Sequence, residues 1–212
     1  MAGDDWAVVH RSGDVTPPPT TTRTVGNETF QMDPRVFYQA NDALLDELTE
    51  EVVGQFAPQG SRFKPGTAVD LYSGVGLFTI PLARRFKRVI AVESDPLAVH
   101  YAELNAKNAG LDNVRIKRAA VESWLLPNAR HLGRVDAVIL DPPRTGAADA
   151  VPAIIRLETP KVIYVSCDPA TLARDLKGLM AAGYRLDRVT AFDMFPQTHH
   201  VEIVAHLSFG IG

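Results

Sequence analysis

The stretch "KVIYVSCDPATLARDL", residues 161–176, holds Cys167, the one cysteine of the chain. A single cysteine makes no intrachain disulfide, no four-cysteine iron–sulfur site and no cysteine-rich zinc site, so neither an iron–sulfur cluster nor a metal is expected. Cys167 is therefore a small buried filler or a reactive thiol. It immediately precedes Asp168-Pro169, a helix-opening pair. A thiol at a helix N-terminus has its thiolate stabilised by the dipole and free amides, from a pKa that begins near about 8.5, and the Asp168 carboxylate opposes that shift.

Three further clusters carry groups able to bind or react. "DLYSGVGLF" places Gly74 and Gly76 in a turn entering a helix, just after Asp70 and Tyr72, where missing side chains let a ligand approach the backbone. The third glycine of a dinucleotide fingerprint is absent, and a tight turn with a helix-capping acid is the alternative reading. Glu93 strengthens the binding reading: it ends the next apolar run, 23 residues beyond Asp70, where a carboxylate can accept hydrogen bonds from both hydroxyls of a ribose. "DPPRTGA" follows the buried run "VDAVIL", and its successive prolines form a rigid extended shelf that can hold Asp141 against a planar base, or a turn in which Asp141 merely caps a helix. "HHVE" supplies His199, His200 and Glu202.

What must position these groups is legible from the texture of the chain. From Thr67 onward, apolar runs ("TAVDLYSG", "RVIAVESD", "VRIKRAAVE", "VDAVILDPP", "KVIYVSCDP", "RLDRVTAFDMF", "VEIVAHLSF") alternate with helical patterns that include "GLFTIPLARRF", "DPLAVHYAELNAKNAG" and "DPATLARDLKGLMAAG". Strand then helix, repeated, is the signature of parallel crossover units. "PQTHH" is too short for a helical crossover, so one of the last two strands runs antiparallel to the rest. Asp95-Pro96 and Asp168-Pro169 cap helices, and Gly110 and Gly183 stop them. In such a sheet ligands collect at the carboxyl ends of the strands, which is where Asp70, Glu93, Asp141 and Cys167 all fall. Upstream, "DVTPPPTTTRTVGNETFQM" reads as a semi-rigid connector leading to a short hairpin around Gly26-Asn27. "DPRVFYQANDALLDELTEEVVGQF" is an amphipathic helix whose start is either Asp33-Pro34 or Asn41, the latter leaving "FYQA" as loop.

The chain has 212 residues, 46% hydrophobic and 22% charged, which suits one soluble domain with a sizeable core. No apolar stretch approaches the roughly 20 residues that span a bilayer, and the acidic, mixed start lacks the pattern of a signal peptide. A cytoplasmic protein without membrane partners is expected. The formal charge of −3 argues against nucleic-acid binding through a strong overall positive field. The basic clusters "RRFKR" at 84–88 and "RIKR" at 115–118 adjoin strands and read as solvated edges.

Taken in order, "FYQAN", "DLYSGVGLFTIPLA", "VIAVESD", "DPPRTG", "VSCDPATLARDL" and "HHVEIVAHL" resemble the catalytic domain of the RNA 5-methyluridine methyltransferase family, from about Phe30 to Leu207. The resemblance implies an α/β, Rossmann-like class I methyltransferase fold: a seven-stranded, mostly parallel sheet with the last strand inserted antiparallel and helices on both faces. It divides the chain into an N-terminal extension, 1–29, and an S-adenosylmethionine-dependent methyltransferase domain, 30–212. Carried over by position, it implies Cys167 as nucleophile and Glu202 as the base that removes the carbon 5 proton. Gln39, Asp70, Tyr72, Gly74, Gly76, Glu93 and Asp141 would form the S-adenosylmethionine site. Leu77 stands where the family often has asparagine, so one cofactor hydrogen bond is lost. The implied partner is an RNA substrate, rRNA or tRNA, with Phe37, Tyr72 or Phe195 as stacking surfaces and His199 and His200 in loop or RNA-facing roles. The chain has no room for the N-terminal RNA-binding β-barrel that family members commonly carry, so it reads as an excised catalytic domain or as a compact enzyme that reads RNA with less surface; with the −3 charge this predicts weak or nonspecific RNA affinity, and a monomer is expected. Two other readings stay open at this point: methylation of cytosine or of an amino group beside the "DPPR" shelf, and a non-catalytic S-adenosylmethionine- or RNA-binding module.

Overall fold

The apolar runs after Thr67 become the strands of one sheet; the central runs, 67–71, 88–93, 137–140 and 161–166, are buried almost throughout because helices cover both sides, whereas 114–118 and 184–192 at the edges keep exposed residues. The computed structural model describes residues 20–39, 41–56, 64–194, 196–198 and 201–210. A hairpin, β1 (Thr21–Val25) and β2 (Glu28–Met32), turns at Gly26-Asn27 as expected, with Gly26 at a positive φ of 55°. The main sheet holds β3 (Thr67–Leu71), β4 (Arg88–Glu93), β5 (Val114–Arg118), β6 (Ala137–Leu140), β7 (Lys161–Ser166), β8 (Tyr184–Phe192) and β9 (Glu202–Phe209). Among the described residues its order is β5-β4-β3-β6-β7-β9-β8, with β9 antiparallel to both neighbours and the other strands parallel.

Side-chain alternation along the strands divides the core in two. Ala68, Ala137, Ile139, Ile163, Val165 and Val204 face α1 (Leu45–Val53), α2 (Thr79–Arg85) and α3 (Pro96–Asn108). Val69, Leu71, Val138, Leu140, Val162 and Tyr164 face α4 (Val121–Asn128), α5 (Val151–Leu157) and α6 (Pro169–Ala181). The residue pattern does not single out α4 and α5: both are short and contain proline, Pro127 within α4 and Pro152 in the first turn of α5.

Local signals elsewhere act as read. Asp95 accepts from Leu97 N and Ala98 N at the start of α3, and Asp168 from Ala170 N and Thr171 N at the start of α6. Gly110 and Gly183 follow the helices at φ of 66° and 101°. Asn41 resolves the ambiguous helix start: its side chain accepts from Ala43 N, a 3-10 turn over Asp42–Leu44 follows, and α1 begins at Leu45, so Phe37–Gln39 lie in a loop. The Pro-rich connector, residues 14–19, lies outside the described residues. The hairpin packs into the folded unit through Val25, Phe30 and Met32, so a boundary between residues 29 and 30 falls inside β2.

Asn105, 1% exposed on α3, ties this hairpin to the glycine turn. Its Oδ1 accepts from Gln31 N at 2.8 Å, and its Nδ2 donates to Gln31 O and Val75 O, each at 3.0 Å. Asn105→Leu would remove the side-chain partner of one buried and two part-buried backbone groups. We expect it to lower unfolding free energy by roughly 2–4 kcal/mol, read from the midpoint of denaturant unfolding.

Candidate active site

At the carboxyl end of the parallel strands lies a cavity of about 690 Å³, lined from one side by the 35–39 loop, β3's glycine turn and Glu93, and from the other by Asp141–Arg144, Cys167 and Glu202. Side-chain parity explains the second group. Asp141 continues the face of Ile139, Cys167 that of Val165, and Glu202 that of Val204, so all three project to the same side of the sheet. Strand pairing runs from Lys161 opposite Ser208 to Ser166 opposite Ile203, and its next step sets Glu202 opposite Cys167. Only the antiparallel insertion of β9 makes the start of one strand meet the end of another.

Cys167 is half-buried and held in place by its neighbours. Ser166 Oγ donates to Asp168 O and accepts from Asp168 N, both at 3.1 Å, which closes a small ring around the cysteine backbone. The first amides of α6 are taken by Asp168 and do not serve the thiol. Burial, followed by the Glu202 charge, pushes the Cys167 thiol up, and a hydrogen bond from Arg144 pulls it partly back. Arg144 was not among the expected site residues, because nothing in "DPPRTG" says which way its side chain turns.

Glu202 is 1% exposed, and its Oε1 is buried without a hydrogen-bond partner among the described residues. Burial raises its carboxyl to about 7. Asp141 is raised well above the usual range, chiefly by burial and then by Glu202, while a hydrogen bond from Gln39 lowers it. Two acids that cannot both ionise cheaply share this end of the cavity, an arrangement suited to holding and releasing a proton. Gln39 keeps its own Oε1 buried and, among the described residues, unpartnered.

On the other side, Glu93 Oε1 accepts from Ser94 N and Asp95 N at 2.7 and 2.8 Å, while Oε2 accepts from Gly74 N at 2.9 Å and keeps capacity for a further donor. Tyr72 adopts a positive φ of 60° and donates its hydroxyl to Glu122 Oε1 at 2.5 Å. Leu77 lines the cavity with an apolar side chain. Phe37 stands at the rim, 72% exposed.

Two of the expected site residues stand beneath the cavity rather than in its lining. Asp70 does not line the cavity: paired with Ile139 in the sheet register, it lies one pleat deeper than Asp141, where Thr79 Oγ1 donates to its carboxylate at 2.5 Å. Burial raises its carboxyl to about 7. It supports the turn from below. Gly76, at φ 98°, likewise shapes the turn without facing the cavity, whereas Gly74 does face it. Phe195, His199 and His200 lie outside the described residues.

The cavity suits a ligand carrying both hydroxyls and positive charge. Among the described residues its lining holds five carboxylates, Glu93, Asp95, Glu122, Asp141 and Glu202, against two guanidinium groups, Arg35 and Arg144. Unpartnered acceptors on Gln39 and Glu202 point to polar groups still to be met. No group of three or more metal-ligating side chains converges among the described residues, and no helix there is long and apolar enough to cross a membrane.

The model of the family described as tRNA (Uracil-5-)-methyltransferase matches residues 29–208. An uncharacterized RNA methyltransferase of Thermotoga maritima is 40% identical over 184 residues, covering 86% of this chain and 40% of that protein. The 23S rRNA (uracil(1939)-C(5))-methyltransferase RlmD of Pseudomonas putida is 40% identical over 177 residues, covering 84% of this chain and 38% of that one. Among solved structures, the Pyrococcus abyssi tRNA (uracil-54, C5)-methyltransferase in complex with S-adenosyl-L-homocysteine aligns with a TM-score of 0.77 at 30% identity, over 95% of this chain and 50% of that one. The chain spans about two fifths of the length of these curated relatives.

Proposed function

The chain belongs to the tRNA (uracil-5-)-methyltransferase family, and on that premise we propose that it methylates carbon 5 of a uridine in RNA, with S-adenosylmethionine as methyl donor. The observation that carries this reading is the meeting of one thiol and one buried carboxylate, Cys167 and Glu202, at opposed register positions in a single cavity.

Glu93, Tyr72, Gly74, Gln39 and Asp141 are the residues that would hold the cofactor. Glu93 has the acceptor capacity for ribose hydroxyls, and the acidic lining suits a sulfonium. When bound, S-adenosylmethionine supplies the methyl group as an electrophile.

The chain's own residues supply the rest. Carbon 5 of uracil is a poor nucleophile, so the Cys167 thiolate adds to carbon 6 and leaves an enolate whose electron density lies at carbon 5. Arg144, bonded to the thiol, stabilises its ionised form. Once carbon 5 carries the methyl group, it still bears its original proton. Glu202 takes that proton, the ring electrons return, and the Cys167–carbon 6 bond breaks to regenerate the thiolate. A carboxyl near 7 is matched to this task, because it can be ionised before the step and protonated after it at neutral pH. Carbon 6 is inaccessible within a stack, so the base must be presented from a loop or turned out. Phe37 at the rim offers that base an exposed ring.

The direct test mixes the protein with S-adenosylmethionine and a short RNA containing 5-fluorouridine. Fluorine cannot leave as the proton does, so a covalent protein–RNA complex should persist on a denaturing gel and carry one methyl group by mass spectrometry. If neither that RNA nor uridine RNA is modified by protein shown to bind S-adenosylmethionine, the reading fails. Binding has its own test. Glu93→Ala should weaken S-adenosylmethionine affinity at least about tenfold by calorimetry, the scale of a hydrogen bond to a charged group.

A further inference from the structure

One buried carboxylate outside the cavity has no part in the chemistry above. Asp175, 2% exposed on α6, is met by donors from three parts of the chain. Ala147 N and Tyr164 Oη each donate to its Oδ2 at 2.7 Å, and Arg174 Nε donates to its Oδ1 at 2.8 Å. Arg174 Nη2 also donates to Thr145 O at 2.9 Å, and Ala147 N lies 3.1 Å from Tyr164 Oη. Between these contacts sits Gly146, at φ 77°, where a β-carbon would meet the Arg174 guanidinium at 2.5 Å and the Asp175 carboxylate at 2.6 Å.

The three parts joined here are the ones that carry the proposed chemistry. The loop is the continuation of Asp141–Arg144, Tyr164 lies on β7 three residues before Cys167, and α6 begins two residues after it. Apolar side chains of similar volume would fill this space without the cost of desolvating an acid. They would not hold Ala147 N–H and Thr145 C=O in fixed directions.

We propose that Asp175 and Arg174 are positioning residues, which clamp the 141–147 loop onto β7 and α6 and thereby hold Arg144 against the Cys167 thiol. The acid of the clamp stays ionised to lower pH than an ordinary carboxyl. Although burial pushes the Asp175 carboxyl up, the bonds from Arg174, Ala147 N and Tyr164 hold it below the usual carboxylate range. Loosening the loop withdraws Arg144, whose hydrogen bond opposes the other influences raising the thiol, so the thiolate forms only at higher pH.

This inference rests on the reading of Cys167 as nucleophile, but its test does not require RNA or turnover. Because the chain has one cysteine, iodoacetamide alkylation reports Cys167 alone. Asp175→Asn should raise the pH midpoint of alkylation by at least about half a unit, and slow adduct formation with 5-fluorouridine RNA at saturating S-adenosylmethionine by at least about tenfold. Arg174→Gln, at a half-exposed side chain that leaves Asp175 in place, should shift both in the same direction, and serves if the Asp175 variant does not fold. Leu179→Ala, a buried apolar truncation on the same helix, should lower the melting temperature without moving the alkylation midpoint. An alkylation midpoint unchanged in the folded variants, or moved equally by Leu179→Ala, overturns the proposal. A shifted midpoint in a protein that forms no RNA adduct sustains the clamp while rejecting the uridine chemistry.

Discussion

Replacing Cys167 with alanine is expected to abolish both covalent capture of 5-fluorouridine RNA and methylation of uridine RNA, with a loss of at least about 10⁴-fold, while S-adenosylmethionine binding persists. The size of the effect follows from the substrate. Without a bond at carbon 6 there is no enolate, and an unactivated carbon 5 has no other source of electron density. The neighbouring groups do not replace the thiol: Glu202 is a buried acid, Asp141 a partly buried one, and Arg144 is a cation. Filter binding of labelled RNA methyl product and gel detection of the adduct read the two losses separately. Methylation that survives Cys167→Ala would instead favour attack by an amino group beside Asp141-Pro142-Pro143-Arg144, which needs no thiol.

Glu202→Gln is expected to split the same reaction. The amide keeps the shape of the acid but cannot take a proton, so the adduct should form on ordinary uridine RNA, accumulate in its methylated state and release product about 10²–10⁴-fold more slowly. Single-turnover trapping against steady-state turnover distinguishes this from a failure to bind. The pH dependence has a definite sign. Glu202 acts as base only when ionised, so turnover should rise as pH passes about 7, and continue rising as the raised Cys167 thiol ionises. Stability runs the other way. A Glu202 carboxyl at about 7 in the folded chain, against 4.5 as a free side chain, binds its proton more tightly when folded. Its contribution is fully present below pH about 4.5 and is lost as pH rises through about 7. Glu202→Gln should therefore melt higher than the parent protein at pH 8 and show little difference at pH 4.5. An acid kept where ionising it costs stability is a common exchange at active sites.

Much of the framework was legible in the residues because it is governed by local physical chemistry. A buried strand between helices must be apolar on both faces, and a helix after an Asp-Pro pair has its cap and first-turn φ already set. All seven sheet strands and the caps at Asp95 and Asp168 follow from such rules, as do the stops at Gly110 and Gly183. The short helices α4 and α5 do not, since their proline content weakens the periodic signal and tertiary packing makes up for it.

By itself, then, the sequence determined that an α/β sheet would carry Glu93, Asp141 and Cys167 to its carboxyl edge, and family resemblance added Glu202. Only the tertiary structure decided which of these groups meet. Strand order and register are long-range properties: inserting β9 antiparallel beside β7 sets Glu202 opposite Cys167, although 35 residues separate them in the chain. The same register sets Asp70 one pleat deeper than Asp141, bonded to Thr79 beneath the glycine turn. Burial did the remaining work on the electrostatics: it alone raises Glu202, while Asp141 and Cys167 are raised first by lost solvent and then by the Glu202 charge. No local pattern encodes solvent exclusion, which exists only once both helix layers and the 35–39 loop have closed around the site.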